Sequence, residues 1–269
     1  MSSLVFKKSL GQHILKNPGI IDSIVNKSNI EPTDTILEIG AGTGNLTLKL
    51  LEKAKKVICY EKDERLASEL IKRVSLQPKL YSKLKLIVGD ALKAEFPHFD
   101  MCISNIPYQI SSPLIFKLLK YNFRSCVLLV QYEFAQRLVA KPGSSDYSRI
   151  SVSVQLLAKV ENVLKVSKKN FNPPPKVDSS VIKIKPRFSK PQINVKEFEN
   201  MVSKCFLRKN KTLRSVFNTE TDKERRQKIE NILVKIKYDK KRSQKMCVEE
   251  FLELLLEFKK EKIDFIKKN

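Results

Sequence analysis

The chain has 269 residues, of which 52 are Lys or Arg and 29 are Asp or Glu, so its formal net charge is +23. This excess indicates a polyanionic partner, and nucleic acid is favoured over a membrane because no single basic amphipathic segment dominates. No apolar run approaches the roughly 18 residues of a membrane span. Two histidines and five cysteines without C-x-x-C spacing argue against a metal site and predict reduced thiols in a soluble intracellular protein of one or two domains.

The N-terminal segment precedes a helix whose start is marked by the N-cap residue Asn17 and by Pro18 at the first helical position. Two interpretations remain open for the residues before that helix. They form either a basic arm or a cover in which Gln12, His13 and Leu15 fold over a ligand bound at the next turn.

A glycine-rich turn follows the first predicted strand of the sheet, Thr35–Ile39. Glycine accepts positive φ and lets a ligand approach the backbone closely. The spacing is Gly40-x-Gly42-x-Gly44, and Asn45 stands where a dinucleotide-binding turn needs its third glycine. The turn is therefore predicted to hold a cofactor that lacks a pyrophosphate, with a purely structural turn as the alternative.

Acidic residues lie at the ends of the predicted strands, beside or near the glycine-rich turn in the folded sheet. Glu38 before the glycines completes a motif that resembles the first motif of class I S-adenosylmethionine-dependent methyltransferases. Glu61 follows the predicted strand Lys56–Tyr60, where a carboxylate accepts hydrogen bonds from both ribose hydroxyls. Asp90 follows the third strand, and it either accepts from the adenine amino group or caps a turn.

The fourth predicted strand ends in Asn105, Ile106, Pro107 and Tyr108. An exocyclic amine on a nucleobase is a poor nucleophile because its lone pair is delocalised into the ring. If the Asn105 oxygen and a neighbouring backbone carbonyl accept its two N–H bonds, the lone pair is aimed at a methyl donor, with Pro107 stiffening the turn and Tyr108 stacking on the base. No general base is needed, because the methylated amine is acidic enough to lose its proton to water.

The later part of the sheet region contains two alternating segments, Val160–Val166 and Ser180–Ile184, which predict a hairpin edge. Between them Phe171 is flanked by lysines and three prolines, and it is either a surface aromatic or, as we prefer, a platform on which a base stacks. The stretch Pro142–Arg149 is predicted to be a mobile loop.

The C-terminal part is helical by its periodicity and basic by its composition. We predict a Rossmann-like domain over residues 1–188, including the N-terminal arm, and a helical RNA-binding domain over residues 189–269. The run Arg208–Arg214 is either a phosphate contact or a solvated surface. The predicted helices are Val195–Phe206, Asp222–Lys235 and Val248–Lys260.

Six segments together resemble the rRNA adenine N6-dimethyltransferase family, and they recur in family order. The residues of segments Gln12–Pro18 and Arg208–Leu213 are most similar to those of the eukaryotic and archaeal branch, which acts on small-subunit rRNA. The six segments are Ser9–His13, Glu38–Gly44, Glu61, Gly89–Ala91, Asn105–Ser112 and Asn170–Ser179.

The resemblance implies a class I methyltransferase fold, with a Rossmann-like seven-stranded sheet and a small all-helical C-terminal domain. It implies S-adenosylmethionine as the cofactor and two adjacent adenosines near the 3′ end of small-subunit rRNA as the substrate, each methylated twice. The catalytic segment is Asn105, Ile106, Pro107 and Tyr108, with Phe171. The implied cofactor contacts are His13, Leu15, Gly40, Gly42, Glu61, Asp90 and Asn105.

The family also implies a role in processing the pre-ribosomal particle and a nucleolar location, with the mitochondrion or cytoplasm as alternatives. A monomer is the default expectation. One rival is a large-subunit rRNA adenine methylase of the antibiotic-resistance type. The other is an assembly factor or mitochondrial transcription factor that uses this fold without catalysis, although the intact residues 105–108 argue against lost chemistry.

Overall fold

The computed structural model describes residues 12–189 and 191–266. The predicted basic arm falls largely in residues 1–11, which lie outside the described residues. The chain divides into two compact units. The sheet unit is the chain up to Ala135 together with Lys159–Pro186, and the helical unit is Gln136–Ala158 together with the chain from Arg187 onward.

Within the described residues, the sheet unit is built on a sheet of seven strands, as predicted, in the order β4-β3-β2-β5-β6-β9-β7. Neighbouring strands from β4 to β6 pair in parallel, and β9 runs antiparallel to β6. The central strands are continuous apolar runs because both faces of a parallel sheet are covered. The strands are β2 (Thr35–Ile39), β3 (Lys56–Glu61), β4 (Leu84–Val88), β5 (Met101–Asn105), β6 (Ser125–Gln131), β7 (Ala158–Val166) and β9 (Ser179–Pro186).

Two short strands lie outside this sheet. β1 (Ile14–Leu15) and β8 (Phe171–Asn172) pair antiparallel with each other, which joins the N-terminal segment to the late loop.

Helices of the sheet unit follow the strands, as alternating strand and helix patterns require. Asn17 caps the first helix as predicted, because its Oδ1 accepts hydrogen bonds from the backbone N–H groups of Gly19 and Ile20. The helices are α1 (Pro18–Ser28), α2 (Asn45–Lys53), α3 (Glu64–Ser75), α4 (Pro78–Tyr81) and α5 (Ser111–Leu118), and α6 (Tyr132–Val139) runs from one unit into the other.

The helical unit contains two helices that the sequence pattern did not reveal, α7 (Arg149–Leu157) and α9 (Leu213–Phe217). Most residues of α7 are buried, so its sequence has no polar stripe to mark a helical period. Because α7 packs on helices of the C-terminal part, residues 136–158 join that unit, and the division differs there from the predicted domains 1–188 and 189–269. The other helices are α8 (Val195–Cys205), α10 (Lys223–Lys235) and α11 (Val248–Lys260).

The stretch Pro142–Arg149, predicted to be a mobile loop, is held by hydrogen bonds to other residues of the helical unit. The backbone N–H of Gly143 donates to the carbonyl oxygen of Gln244 at 2.7 Å, and the Gln244 amide donates to Ser144. Tyr147 is fully buried, and its hydroxyl donates to the carbonyl oxygen of Met246 at 2.8 Å. These contacts join segments about a hundred residues apart in sequence, which a local pattern cannot reveal.

Four of the five cysteines are buried, as predicted, and all five are free. Among residues 12–189 and 191–266, no helix is both long enough and apolar enough to cross a membrane.

Candidate active site

A cleft opens at the carboxyl ends of β2, β3 and β5, where an open α/β sheet ordinarily binds its ligand. Most of the residues singled out from the sequence line this cleft, and all of them belong to the sheet unit. The lining includes His13, Ile14, Gly40, Gly42, Glu61, Lys62, Asp90, Ala91, Asn105, Ile106, Pro107 and Tyr108.

The glycine turn forms one wall of the cleft, and its geometry excludes side chains. Gly40, Gly42 and Gly44 have φ values of +74°, +58° and +87°. A Cβ on Gly42 would lie 2.8 Å from Cδ1 of Ile14, and one on Gly44 would lie 2.4 Å from Cδ1 of Leu70. The positive φ values therefore favour glycine at all three positions, as the spacing predicts, and a Cβ on Gly42 or Gly44 would also displace a neighbouring side-chain methyl group.

Glu61 stands at the end of β3 and holds the glycine turn in place. Its Oε2 accepts a hydrogen bond from the backbone N–H of Gly42 at 2.8 Å, and its Oε1 accepts one from that of Asp63 at 2.9 Å. Burial raises the pKa of this carboxyl, while the two N–H groups oppose the rise. Each oxygen keeps a lone pair for a further donor in the cleft.

Asp90 performs the capping role that the sequence left open as one alternative. Its Oδ1 accepts from the backbone N–H of Leu92 at 2.9 Å, and its Oδ2 lies 3.0 Å from Nζ of Lys62. The Leu92 N–H and then the Lys62 ammonium lower the pKa of Asp90. Asp90 also lines the cleft, so acceptance from an adenine amino group remains compatible with capping.

The Asn105 amide is oriented by the N-terminal segment. Its Nδ2 donates to the backbone carbonyl of His13 at 2.9 Å. Because a carbonyl only accepts, Oδ1 is the amide atom left for a ligand. The side chain of Ile106 is buried, so only its backbone is available to a ligand, and Pro107 leads into the 3-10 turn Tyr108–Ile110.

Tyr108 is fixed at both ends of its side chain. Its hydroxyl lies 2.6 Å from Oγ of Ser179, and its ring stacks on that of His13 with centroids 5.8 Å apart. Nδ1 of His13 donates to the carbonyl oxygen of Pro173 at 2.8 Å, which holds the imidazole in place. Burial raises the pKa of Tyr108, so its hydroxyl stays protonated at neutral pH.

Two predicted site residues do not line the cleft. Leu15 pairs with Phe171 across β1 and β8, and both side chains are buried in the hydrophobic core. Successive strand residues face opposite sides, so Ile14 faces the cleft instead of Leu15. The structure contradicts both interpretations of Phe171, because a side chain with 1% exposure is neither a surface aromatic nor a face on which a base stacks.

Asp63 is a residue of the site that the sequence argument missed. Its carboxylate accepts a hydrogen bond from Nε2 of Gln12 at 2.9 Å and pairs with Arg65, while its backbone N–H donates to Glu61. The Arg65 guanidinium holds the pKa of Asp63 well below its usual range. The available signal was its position two residues after Glu61, at the N-cap of α3.

Glu38 does not line the cleft but lies buried beneath the glycine turn. Sγ of Cys59 donates to its Oε2 at 3.3 Å. Burial raises the pKa of Glu38 to about 8, and the nearby Glu61 charge adds to the rise. The carboxyl of Glu38 therefore belongs to the protein interior and is not presented to a ligand in the cleft.

The cleft has the hydrogen-bond acceptors that a nucleoside-containing cofactor requires. The turn at Gly40 and Gly42 presents no side chains, Glu61 retains acceptor capacity for two hydroxyls, and Asp90 retains acceptor capacity for an amino group. These residues fit S-adenosylmethionine, with its ribose hydroxyls and adenine amino group.

Comparison with known proteins agrees with this chemistry. A family model described as ribosomal RNA adenine dimethylase matches residues 4–258. The chain is 47% identical to a probable dimethyladenosine transferase of Caenorhabditis elegans over 99% of this chain and 94% of that protein. It is 57% identical to a ribosomal RNA small subunit methyltransferase of Arabidopsis thaliana over 80% of this chain and 62% of that protein.

Solved structures give the same assignment. A dimethyladenosine transferase from Plasmodium falciparum superposes with a TM-score of 0.87 at 42% identity, covering 94% of this chain and all of that one. The 23S rRNA methyltransferase ErmE superposes with a TM-score of 0.67 at 27% identity, covering 91% and 99%. The chain therefore belongs to the ribosomal RNA adenine dimethylase family, and it is an rRNA adenine dimethyltransferase that uses S-adenosylmethionine.

Proposed function

We propose that this enzyme dimethylates N6 of two adjacent adenosines near the 3′ end of small-subunit rRNA during biogenesis of the small ribosomal subunit. Three observations support this substrate. The motif wording is that of the branch acting on small-subunit rRNA, the Arabidopsis relative carries that substrate in its name, and identity to the Plasmodium dimethyladenosine transferase exceeds identity to the 23S enzyme.

The observation that carries the chemical part of the proposal, methylation at N6 of an adenosine, is the orientation of Asn105. With Nδ2 held by the His13 carbonyl, Oδ1 accepts one N–H of the target amine, and a neighbouring backbone carbonyl accepts the other. The nitrogen lone pair then points out of the plane of the base. His13 stacks on one face of Tyr108, which leaves the opposite face for the flipped adenine.

The cofactor end of the cleft is assigned to three residues. Gly40 provides the open turn, Glu61 accepts from the ribose hydroxyls, and Asp90 accepts from the adenine amino group. When bound, S-adenosylmethionine supplies a methyl group activated on a sulfonium. If the target nitrogen took that methyl group, the electron pair of the broken carbon–sulfur bond would stay on sulfur, and Gly40, Glu61 and Asp90 would hold the cofactor in place for this displacement.

Proton removal needs no side chain of the cleft. The Tyr108 hydroxyl is protonated and engaged with Ser179, and the remaining acceptor capacity of Glu61 is assigned to the ribose hydroxyls of the cofactor. The proton of the methylated amine passes to water. The enzyme therefore contributes mainly positioning and electrostatic stabilisation.

The test is methyl transfer from labelled S-adenosylmethionine into immature small subunits that lack the modification, with the product nucleoside identified by mass. We expect N6,N6-dimethyladenosine at two neighbouring positions, and no transfer to large-subunit rRNA. Exclusive transfer to large-subunit rRNA would overturn the substrate assignment. Cofactor binding with no transfer to either RNA would favour the assembly-factor alternative.

A nucleolar location and a monomeric state are parts of the same proposal. The Arabidopsis relatives include one named as mitochondrial, which makes the mitochondrion the alternative to test. A fluorescent fusion expressed in the source cell should co-localise with a nucleolar marker. Sedimentation of the purified chain should give the mass of one copy, 31.0 kDa.

A further inference from the structure

Lys117 lies near the end of α5 and directs its ammonium group into the loop that follows Asp90. Nζ donates to the backbone carbonyl oxygens of Ala91 at 2.8 Å and Leu92 at 3.0 Å, and it also bonds that of Ala94. An ammonium has three N–H donors, so all of them are used on this one loop. The same nitrogen lies 4.4 Å from the centroid of the Phe96 ring.

This loop is organised around two opposite charges. Asp90 accepts three backbone hydrogen bonds from this loop. Its side chain accepts from the N–H of Leu92, and its carbonyl oxygen accepts from the N–H groups of Lys93 and Ala94. Lys117 collects carbonyl oxygens of the same turn. Three carbonyl dipoles that converge on one point repel each other unless a cation lies between them, so the loop conformation depends on the ammonium.

The loop is also part of the cleft. Asp90 and Ala91 both line it, and Ala91 supplies one of the carbonyl oxygens that Lys117 holds. α5 begins at Ser111, directly after the segment Asn105–Ile110. Helix α5 therefore starts at the end of the cleft that is proposed to bind the target base. Through Lys117 it also holds the loop at the end that is proposed to bind the adenine of the cofactor.

We propose that Lys117 is a positioning residue for the cofactor: its ammonium fixes the carbonyls of residues 91, 92 and 94 so that Asp90 faces the adenine amino group. The inference rests on the proposed assignment of Asp90 to the adenine. Lys117 itself does not line the cleft, and its effect passes through the loop.

The primary test replaces Lys117 with Met, which keeps the length of the apolar stem and removes the donors. We expect the Kd for S-adenosylhomocysteine, measured by calorimetry, to rise about tenfold, since a network of charge-assisted hydrogen bonds is lost. KM for S-adenosylmethionine should rise by a similar factor with kcat within about twofold of wild type. Lys120→Ala, an exposed lysine just past the same helix, is the matched control and should leave both constants unchanged.

A second readout needs no ligand. The backbone amides of residues 92, 93 and 94 are hydrogen-bonded within the loop and that of residue 96 is hydrogen-bonded to the hydroxyl of Tyr121, so the hydrogen exchange of these four amides reports the order of the loop. Lys117→Met should speed exchange there at least about tenfold and leave the strands unchanged. An unchanged Kd in a folded Lys117→Met protein would overturn the proposal, whatever the exchange rates show.

Chemical rescue separates the ammonium from a general packing effect. In Lys117→Ala, n-propylammonium replaces the missing stem and donors, and it should restore affinity for S-adenosylhomocysteine. Tetramethylammonium carries the charge without N–H donors and should not. Equal rescue by both cations, or by neither, would contradict the role of three directed hydrogen bonds.

A wild-type measurement covers the case in which the variants do not fold. Acetic anhydride labelling followed by mass spectrometry should modify Lys117 more slowly than Lys120, and S-adenosylhomocysteine should slow Lys117 further. Labelling of Lys117 that is insensitive to the ligand would overturn the coupling. If Asp90→Ala binds S-adenosylhomocysteine normally, the Asp90 assignment fails; if only Lys117→Met binds normally, this inference alone fails.

Discussion

The sheet unit and the helical unit place their important side chains by different means. In the sheet unit Glu61 and Asn105 stand at strand ends, and each is fixed by a hydrogen bond to the backbone of another segment. In the helical unit the buried residues are mainly apolar or aromatic, and the chain is joined by packing of helices. Topology alone brings strand ends together, whereas helix packing depends on the shapes of many side chains.

This difference explains why the candidate active-site residues all lie in the sheet unit, whereas basic residues are exposed on both units. A site built on strand ends is rigid and can hold donors within the tolerance that transfer requires. The helical unit presents exposed basic residues, such as Arg208 and Lys211, that suit a partner bound through its phosphates. Substitutions in the two units should therefore separate catalysis, cofactor binding and RNA binding.

The largest expected effect comes from Asn105→Ala. Removing the oriented amide should lower kcat by about 10²- to 10³-fold, because the amine is no longer aligned, while RNA affinity is retained. Single-turnover methyl transfer and filter binding measure the two quantities. Asn231→Ala, an exposed amide on α10, is the control and should transfer at the wild-type rate. Wild-type turnover of Asn105→Ala would show that the mechanism is wrong.

Glu61→Gln should act on cofactor binding. The substitution keeps the shape but removes the charge and places an amide N–H against a backbone N–H of Gly42 or Asp63. We expect a loss of about 1.5–3 kcal/mol in the binding free energy of S-adenosylhomocysteine, or roughly ten- to a hundredfold in Kd by calorimetry. RNA affinity should be unchanged. Tight binding by this variant would remove Glu61 from the cofactor site.

Gly44→Ala tests whether the turn needs glycine for its backbone. At φ of +87° an alanine costs about 1–2 kcal/mol, and its Cβ would also displace the side chain of Leu70. The free energy of unfolding in urea should fall by at least that amount. Gly19→Ala is the matched control, because α1 has no positive φ there and the nearest atom to the added Cβ, Oδ1 of Asn17, lies 3.4 Å away. Equal stability of the two variants would contradict the argument.

Tyr147→Phe probes the helical unit without touching the cleft. It removes the buried hydrogen bond to the carbonyl oxygen of Met246 and should lower the free energy of unfolding by about 1 kcal/mol. The Kd for S-adenosylhomocysteine should stay the same. A changed Kd would show that the two units are coupled more tightly than their separate contacts suggest.

The smallest effect is expected for Arg208→Ala combined with Lys211→Ala. Both side chains are exposed, and loss of phosphate contacts should make the salt dependence of RNA binding shallower by about one unit of slope per contact. Lys228→Ala is the control, because that lysine is paired with Glu224 on α10. An unchanged slope would leave the run as a solvated surface.

Much of the site follows from local sequence. The glycines at 40, 42 and 44 suit this turn because glycine accepts their positive φ values without steric cost. Glu61, Asp90 and Asn105 follow strands, and parallel strand ends converge at one edge of a sheet. The fold class and this edge were therefore predictable from periodicity and motif order.

Other features of the site depend on contacts between segments that are distant in sequence. Phe171 looks exposed in a lysine- and proline-rich sequence, but pairing with Leu15 across β1 and β8 buries it. Gln12 meets Asp63, and Lys117 meets the loop after Asp90, through hydrogen bonds that no local pattern encodes. Local sequence patterns specify which residues end the strands. Which neighbours hold those residues in position depends on the three-dimensional arrangement, because it brings together segments that are far apart in the chain.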